Sequence, residues 1–487
     1  MLLMMKIWKK SESVGVDLPP GPKKLPIIGN LHLISGPPFR RLRDLSLQYG
    51  PIMHLKLGEV DTIVVSSPKI AKEILKDNDP IFANKPQSIA FKIFWYNYIN
   101  IAFSPYGGYW RQMRKICILE LLSAKSVRSF GSIRKDEVSH LVDSIRLSAG
   151  ETVNLTEKLF SLMSSITCRA AFGKVCKDKD SLIRLVTEVV QMGITSSLAD
   201  IFPSSKIAHA LSWGTKLRLM RMRRNLDVIF DGIIHEHETN HKDCNGEFGN
   251  EDLVDVLLRI KESGELEFSI DYDNIKAVLL DLFAGGTETS STTVDWAMAE
   301  LLKHPQVMVK AQAEIRRVVE EKSNINCIEE DDIQKMNYLR LVIMETLRLH
   351  PPASIIPRFS SEQCKISGYT IPAKINVLVN VWAIQRDPKY WTNPEIFLPE
   401  RFGKEEIIAR DCVYLPFGSG KRMCPGMSFG WASVALPLAQ LLYNFNWKLP
   451  IGIDAQALDM IETSGITTSR KENLLVVATL YQSSPGL

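Results

Sequence analysis

Leu415-Pro416-Phe417-Gly418-Ser419-Gly420-Lys421-Arg422-Met423-Cys424-Pro425-Gly426 runs straight into an apolar stretch, residues 427–442. The glycines and prolines make the first part a loop, and the second part reads as a buried helix. This junction constrains the fold because it puts Cys424 just ahead of a helix N-terminus. There, unpaired N–H groups and the helix dipole favour a thiolate over a thiol. Gly418, Gly420 and Gly426 let the backbone come close to something, and Arg422 offers a planar fork for a carboxylate. A lone cysteine, cationic neighbours and a glycine-lined wall suit a thiolate ligand beneath a flat, carboxylate-bearing cofactor. Cys-Pro-Gly alone equally fits a buried structural cysteine after a tight turn.

What surrounds the loop is long enough for a large core. The chain has 487 residues, 45% of them apolar, with no internal repeat, low-complexity tract or mid-chain linker. That pattern fits one large domain better than the two or three that length alone would allow. Fifty-nine basic against 55 acidic residues give a net +4, too weak a bias to point to nucleic acid. The eight cysteines form no C-x-x-C pair, a pattern of thiols facing a reducing cytosol.

Taken in order, residues 1–8 are apolar apart from Lys6, and Lys9 and Lys10 follow. Eight helical residues span about 12 Å, too short for roughly 30 Å of hydrocarbon. They read as the cytosolic end of a truncated anchor, with residues 1–18 as anchor remnant and polar linker. Residues 19–30 hold a proline cluster that favours a stiff extended segment. Residues 39–49 read as a helix, and 52–57 with 62–66 as a hairpin around Gly58 and Glu59. Further strands are expected at 366–371 and 375–380, and helices at 132–147, 155–171 and 216–238. His235, His237, His241 and Cys244 match no usual zinc spacing, and the helix is expected to end near Asn240. Residues 271–302 form the long central helix, interrupted by Gly285 and Gly286. Two glycines in a helix interior cost roughly 1 kcal/mol each, which ligand approach with local widening of the helix, or close helix crossing, would justify. The expected fold class is therefore mainly α with a minor β-sheet region.

Phe417-x-x-Gly420-x-Arg422-x-Cys424-x-Gly426 resembles the haem-binding signature of the cytochromes P-450, in particular the plant microsomal monooxygenases. The resemblance covers nearly the whole chain and implies a haem-thiolate catalytic domain over 31–487, with 19–30 as a hinge behind the membrane anchor. It makes Cys424 the axial ligand of haem b, with Phe417, Gly418 and Gly426 around it. Trp110, Arg114, Arg358 and Arg422 would hold the haem propionates. Ala284-Gly285-Gly286-Thr287-Glu288-Thr289 is similar to the oxygen-activating motif, so Glu288 and Thr289 would be the catalytic acid–alcohol pair. Gly285 stands where plant relatives often carry alanine. Glu345, Arg348 and Arg401 resemble the family's buried structural triad. The aromatic stretch 89–103 would roof a substrate pocket, 191–213 would form a membrane-touching lid, and the turn 463–467 would be another wall.

The implied reaction inserts one atom of O2 into a small apolar molecule, a plant terpenoid by closeness of resemblance. No G-x-G-x-x-G lies between a strand and a helix, so electrons must come from outside. The family implies NADPH–cytochrome P-450 reductase, docking on a basic face around Arg111, Lys115 and Lys421. It also implies a monomer on the cytosolic face of the endoplasmic reticulum membrane. Two rival readings are a haem-thiolate isomerase or dehydratase needing no O2, and a non-catalytic haem- or lipid-binding protein.

Overall fold

The helix Tyr272–Lys303 crosses the middle of the molecule and begins where the sequence expects. Asp271 caps it by accepting from Asn274 N–H while Asn274 returns the bond to Asp271, so two orphan donors are satisfied at once. It is apolar on nearly every side, and it is buried on nearly every side. The helix Leu155–Phe172 packs along it, and Met427–Asn444 crosses it near the cysteine loop. Together with Gly131–Arg146 and Asn337–Leu349 they enclose one continuous apolar core. The computed structural model describes residues 17–194, 197–243, 251–322, 328–403, 411–463 and 465–481. Of the anchor remnant and polar linker expected over residues 1–18, residues 1–16 lie outside them, and among the described residues no helix is long and apolar enough to cross a membrane.

Strands Ile52–Leu57, Val60–Val65, Asn376–Asn380 and Ile355–Phe359 form the main sheet in that spatial order. The first pair is the expected hairpin, and Val60–Val65 then runs parallel to Asn376–Asn380 with Val64 opposite Leu378. Ile355–Phe359 returns antiparallel, with Arg358 opposite Val377. The proline-rich segment is non-helical as expected, but it lies against this sheet. His54 N–H donates to Pro20 O at 2.9 Å, and buried Asn30 exchanges bonds with Lys56 and Lys23. Gly29, at φ +59°, is needed there because a Cβ would stand 2.1 Å from Lys56 O. The segment thereby covers a sheet edge that would otherwise expose unpaired backbone.

Several boundaries differ from expectation. Residues 366–371 are not one strand but part of a hairpin, Cys364–Ile366 and Tyr369–Ile371, turning through Ser367 and Gly368 at positive φ. The helix starting at Trp213 runs to Asp243, three residues beyond Asn240, near which it was expected to end. His235 is exposed and His237 is bonded to Ile233 O and Asp252, while the side chains of His241 and Cys244 lie outside the described residues. The stretch 191–213 is more helical than its weak periodicity implied, with Leu198–Ile201 and Lys206–Leu211 each capped by a serine. The central helix also stays helical through Gly285 and Gly286, so the expected local widening is absent.

Candidate active site

The cysteine loop is held by its own backbone and by the segment beneath it. Cys424 N–H donates to Phe417 O at 2.9 Å, and Gly418 N–H to Leu415 O at 3.0 Å. Gly418 and Gly420 have φ +72° and +75°, and a Cβ on Gly420 would lie 2.0 Å from Leu75 O. No larger residue could let the loop settle so closely. Below it, Glu345 Oε1 accepts from Arg348 Nη2 and Arg401 Nε, both at 2.9 Å, with Glu345 and Arg348 fully buried. Arg348 also donates to Gln385 O, while the Gln385 side chain accepts from Leu415 N–H at 2.7 Å. The expected triad thus forms and reaches the cysteine loop through Gln385, which nothing in the sequence singled out.

Cys424 faces a cavity of about 460 Å³. Burial pushes its thiol up, against the pull of the Gly426 N–H and Arg114. Burial thus works against the helix end that favours a thiolate, and a cation bound to the sulfur would favour that form. Phe417, Gly418 and Gly426 line the same wall, and Ala284, Gly285, Glu288 and Thr289 of the central helix line another. Thr289 Oγ1 donates to Gly285 O at 2.6 Å, and burial raises Glu288 to about 7, opposed by the Thr467 hydroxyl. The two glycines do different jobs. A Cβ on Gly286 would meet Thr167 Oγ1 at 3.0 Å, whereas Gly285 has nothing within 4 Å.

Four cations line the cavity: Lys85, Arg114, Arg358 and Arg422. Burial pushes Arg358 down to about 10, with Asp79 opposing. Burial, Arg358 and Arg114 push Arg422 down to about 9, and burial with Arg358 and Arg422 lowers Lys85 strongly. Mutual repulsion of this kind is relieved by a bound anion. Their contacts differ from the sequence reading in two respects. Arg422 gives its guanidinium to the carbonyls of Ala83, Ile101 and Ser104, so its fork is not turned to a carboxylate. Trp110 donates to Ile101 O at 3.0 Å and is not part of the cavity wall. It lies between Arg114 and Arg422, whose guanidinium carbons stand 5.4 and 4.2 Å from its ring centroid. Lys85 was missed because an isolated lysine before a proline carries no pattern.

The cavity roof is the aromatic stretch, folded as the helix Ile89–Phe94 followed by the turn Tyr96–Tyr98. Phe91 and Phe103 stack at 4.4 Å, and Trp95 meets both edge-on. Asp281 pins this roof to the central helix. Its carboxylate accepts from Asn100 Nδ2 and Ile101 N–H, each at 2.7 Å, and from Ala102 N–H at 3.0 Å. Burial nevertheless raises it to about 6. A single acid inside the apolar run 278–283 was a readable signal of such a contact.

A sulfur on one wall, cations beside it and glycine-thinned backbone above fit a flat group with carboxylates, such as haem held by a cysteine. Comparison with known proteins agrees. Residues 19–476 match the cytochrome P450 family. The chain is 51% identical to premnaspirodiene oxygenase of Hyoscyamus muticus, over 99% of this chain and 97% of that protein. It is 52% identical to 5-epiaristolochene 1,3-dihydroxylase of Nicotiana tabacum, again over 99% and 97%. A zebra fish cytochrome P450 solved with abiraterone is 25% identical and superposes with a TM-score of 0.76, covering 92% of this chain and all of that one. On this match and these relatives the chain belongs to the cytochrome P450 family, as a monooxygenase that uses haem b and electrons from NADPH passed through a reductase.

Proposed function

We propose that this protein hydroxylates a plant terpenoid hydrocarbon. The observation that carries the reading is the cavity itself, in which Cys424 shares a lining with the aromatic side chains Trp95 and Phe103 and with Glu288 and Thr289 of the central helix. Two relatives near half identity are named for oxidising premnaspirodiene and 5-epiaristolochene, which supports this substrate class.

Cys424 would ligate the haem iron, and Arg114, Arg358 and Lys85 would meet its carboxylates. Arg422 and Trp110 would brace that cation set from behind. Bound haem supplies an electron-rich iron centre at which O2 is reduced and cleaved. Glu288, raised to about 7 by burial despite Thr467, can hold or release a proton at physiological pH. Thr289 Oγ1, seated on Gly285 O, would pass it into the cavity. Trp95 and Phe103, with Phe91 packed against both, would exclude water and orient the substrate by shape.

The protein would act as a monomer at the cytosolic face of the endoplasmic reticulum. Ile207, Leu211 and Trp213, exposed at 74%, 66% and 57%, form an apolar rim suited to a membrane surface. Arg111, Lys115 and Lys421 are exposed, as docking of an acidic flavoprotein would need. The deciding experiment is reconstitution with reductase and a panel of plant terpenes, read by mass spectrometry. Hydroxylated product with matched NADPH consumption is expected. Consumption with no terpene product across the panel would end the substrate assignment.

A further inference from the structure

Tyr96, Asn97 and Tyr98 follow one another at φ +51°, +53° and +65°. A single asparagine visits this left-handed region readily, but a tyrosine seldom does, and three such residues in a row need outside support. Two tyrosine hydroxyls supply it. Tyr98 Oη donates to Ser88 O at 2.6 Å and accepts from Ser88 N–H at 2.8 Å, tying the turn to the residue that caps the roof helix. Tyr96 Oη donates to Asp227 Oδ1 at 2.8 Å, on the long helix Trp213–Asp243 that packs against the roof helix.

Arg223, one turn before Asp227, lies 3.2 Å from the centre of the Tyr96 ring. Its Nε donates to Asp227 at 3.2 Å and its Nη1 to Ile93 O at 3.0 Å. The central helix holds the same pair, with buried Lys276 at 3.7 Å from Asp227 and Asp273 at 3.5 Å from Arg223. Tyr96 is buried where these three segments meet and is not part of the cavity wall. Its neighbour Trp95 is, and Trp95 stands edge-on to Phe103, which lines the cavity too. We infer that Tyr96 is a positioning residue for the roof: its hydroxyl, held by Asp227, keeps the left-handed turn in place, and the turn fixes Trp95 and Phe103 against the ligand. A turn relaxed to right-handed dihedrals would redirect the chain on either side, and Trp95 before it and Phe103 beyond it could not both keep their places. The inference rests on the reading of this roof as the wall that shapes the substrate.

The test is the binding of two azoles to the haem-loaded enzyme, followed by the spectral shift that nitrogen ligation of the iron produces. Imidazole is too small to press on the roof, whereas the triphenylmethyl group of clotrimazole must meet it. Tyr96→Phe keeps the ring on Arg223 and removes only the hydroxyl. Loosening of the roof should raise affinity for clotrimazole relative to imidazole roughly tenfold, the worth of one hydrogen bond to a charged group. The shift should vanish when Tyr96→Phe is made in an Asp227→Ala background, where the hydroxyl has no partner to lose. Amide exchange over residues 95–103 should quicken in Tyr96→Phe, with haem or without it. A purely structural tyrosine would lower the unfolding midpoint and leave the ratio of the two affinities unchanged. That result, unchanged exchange, or the full shift in the Asp227→Ala background overturns the inference. Trp95→Ala judges the roof itself. A ratio moved by Trp95→Ala but not by Tyr96→Phe removes the role of Tyr96 alone, and a ratio moved by neither removes the roof reading as well.

Discussion

Gly286 and Thr167 pack so closely that a Cβ on the glycine would lie 3.0 Å from the threonine hydroxyl oxygen. The contact joins the two longest-packed helices beside the cavity, and it leaves Gly285, which faces open space, as the residue that widens the site.

Exchanging each glycine for alanine should therefore give opposite results. Gly286→Ala overfills the helix contact and should destabilise the fold by about 1–3 kcal/mol. Gly285→Ala meets nothing and should stabilise the helix by up to about 1 kcal/mol, while narrowing the site for bulky substrates. Denaturant unfolding of the two variants separates them.

Removing Glu345 would leave Arg348 fully buried without its carboxylate. Glu345→Ala should destabilise by about 3–5 kcal/mol, since breaking a buried pair strands the other charge. Because Arg348 and Gln385 connect this core to Leu415, haem retention should fall with it. Chemical unfolding and haem content measured together check both outcomes.

How much of this was legible beforehand follows from distance along the chain. The cysteine loop, the central helix and the Glu345–Arg348 pair are local patterns, and each stands where the spacing put it. The helix expected at 39–49 and the hairpin strands either side of Gly58 and Glu59 stand close to where they were expected for the same reason. What could not be read were contacts between distant segments. Trp110 and Arg422 have the expected residue types, but Ile101 O takes a bond from each, and only the fold brings that carbonyl near them. Lys85 and Gln385 carry no local pattern, whereas Asp281 stood out in an apolar run and was passed over. The 364–371 hairpin was misread because the Ser367-Gly368 turn is short enough to look like a pause in one strand.

His237 gives a pH-dependent contribution to stability. Burial opposes its charge, but Asp252 at 2.8 Å prevails and raises it to about 9. Since the folded value lies above the unfolded one near 6.5, this stability is fully present below about pH 6.5 and is lost as pH rises through 9. His237→Gln should flatten the unfolding free energy between pH 6.5 and 9 relative to wild type.

Thr289→Ala separates chemistry from folding. The lost bond to Gly285 O costs about 1 kcal/mol, partly offset by better helix propensity, so haem should still bind. If Thr289 passes protons into the cavity, hydrogen peroxide released per NADPH should rise and hydroxylated product should fall. An unchanged product-to-NADPH ratio would make Thr289 purely structural.

The account turns on Cys424 as a thiolate ligand, and the spectrum of the reduced carbon-monoxide complex reads that directly. Wild-type protein should show the strongly red-shifted Soret band of thiolate-bound haem. Cys424→Ser should lack the band even where haem remains bound. A wild type without it, or a serine variant that keeps it, would contradict the assignment of this cavity.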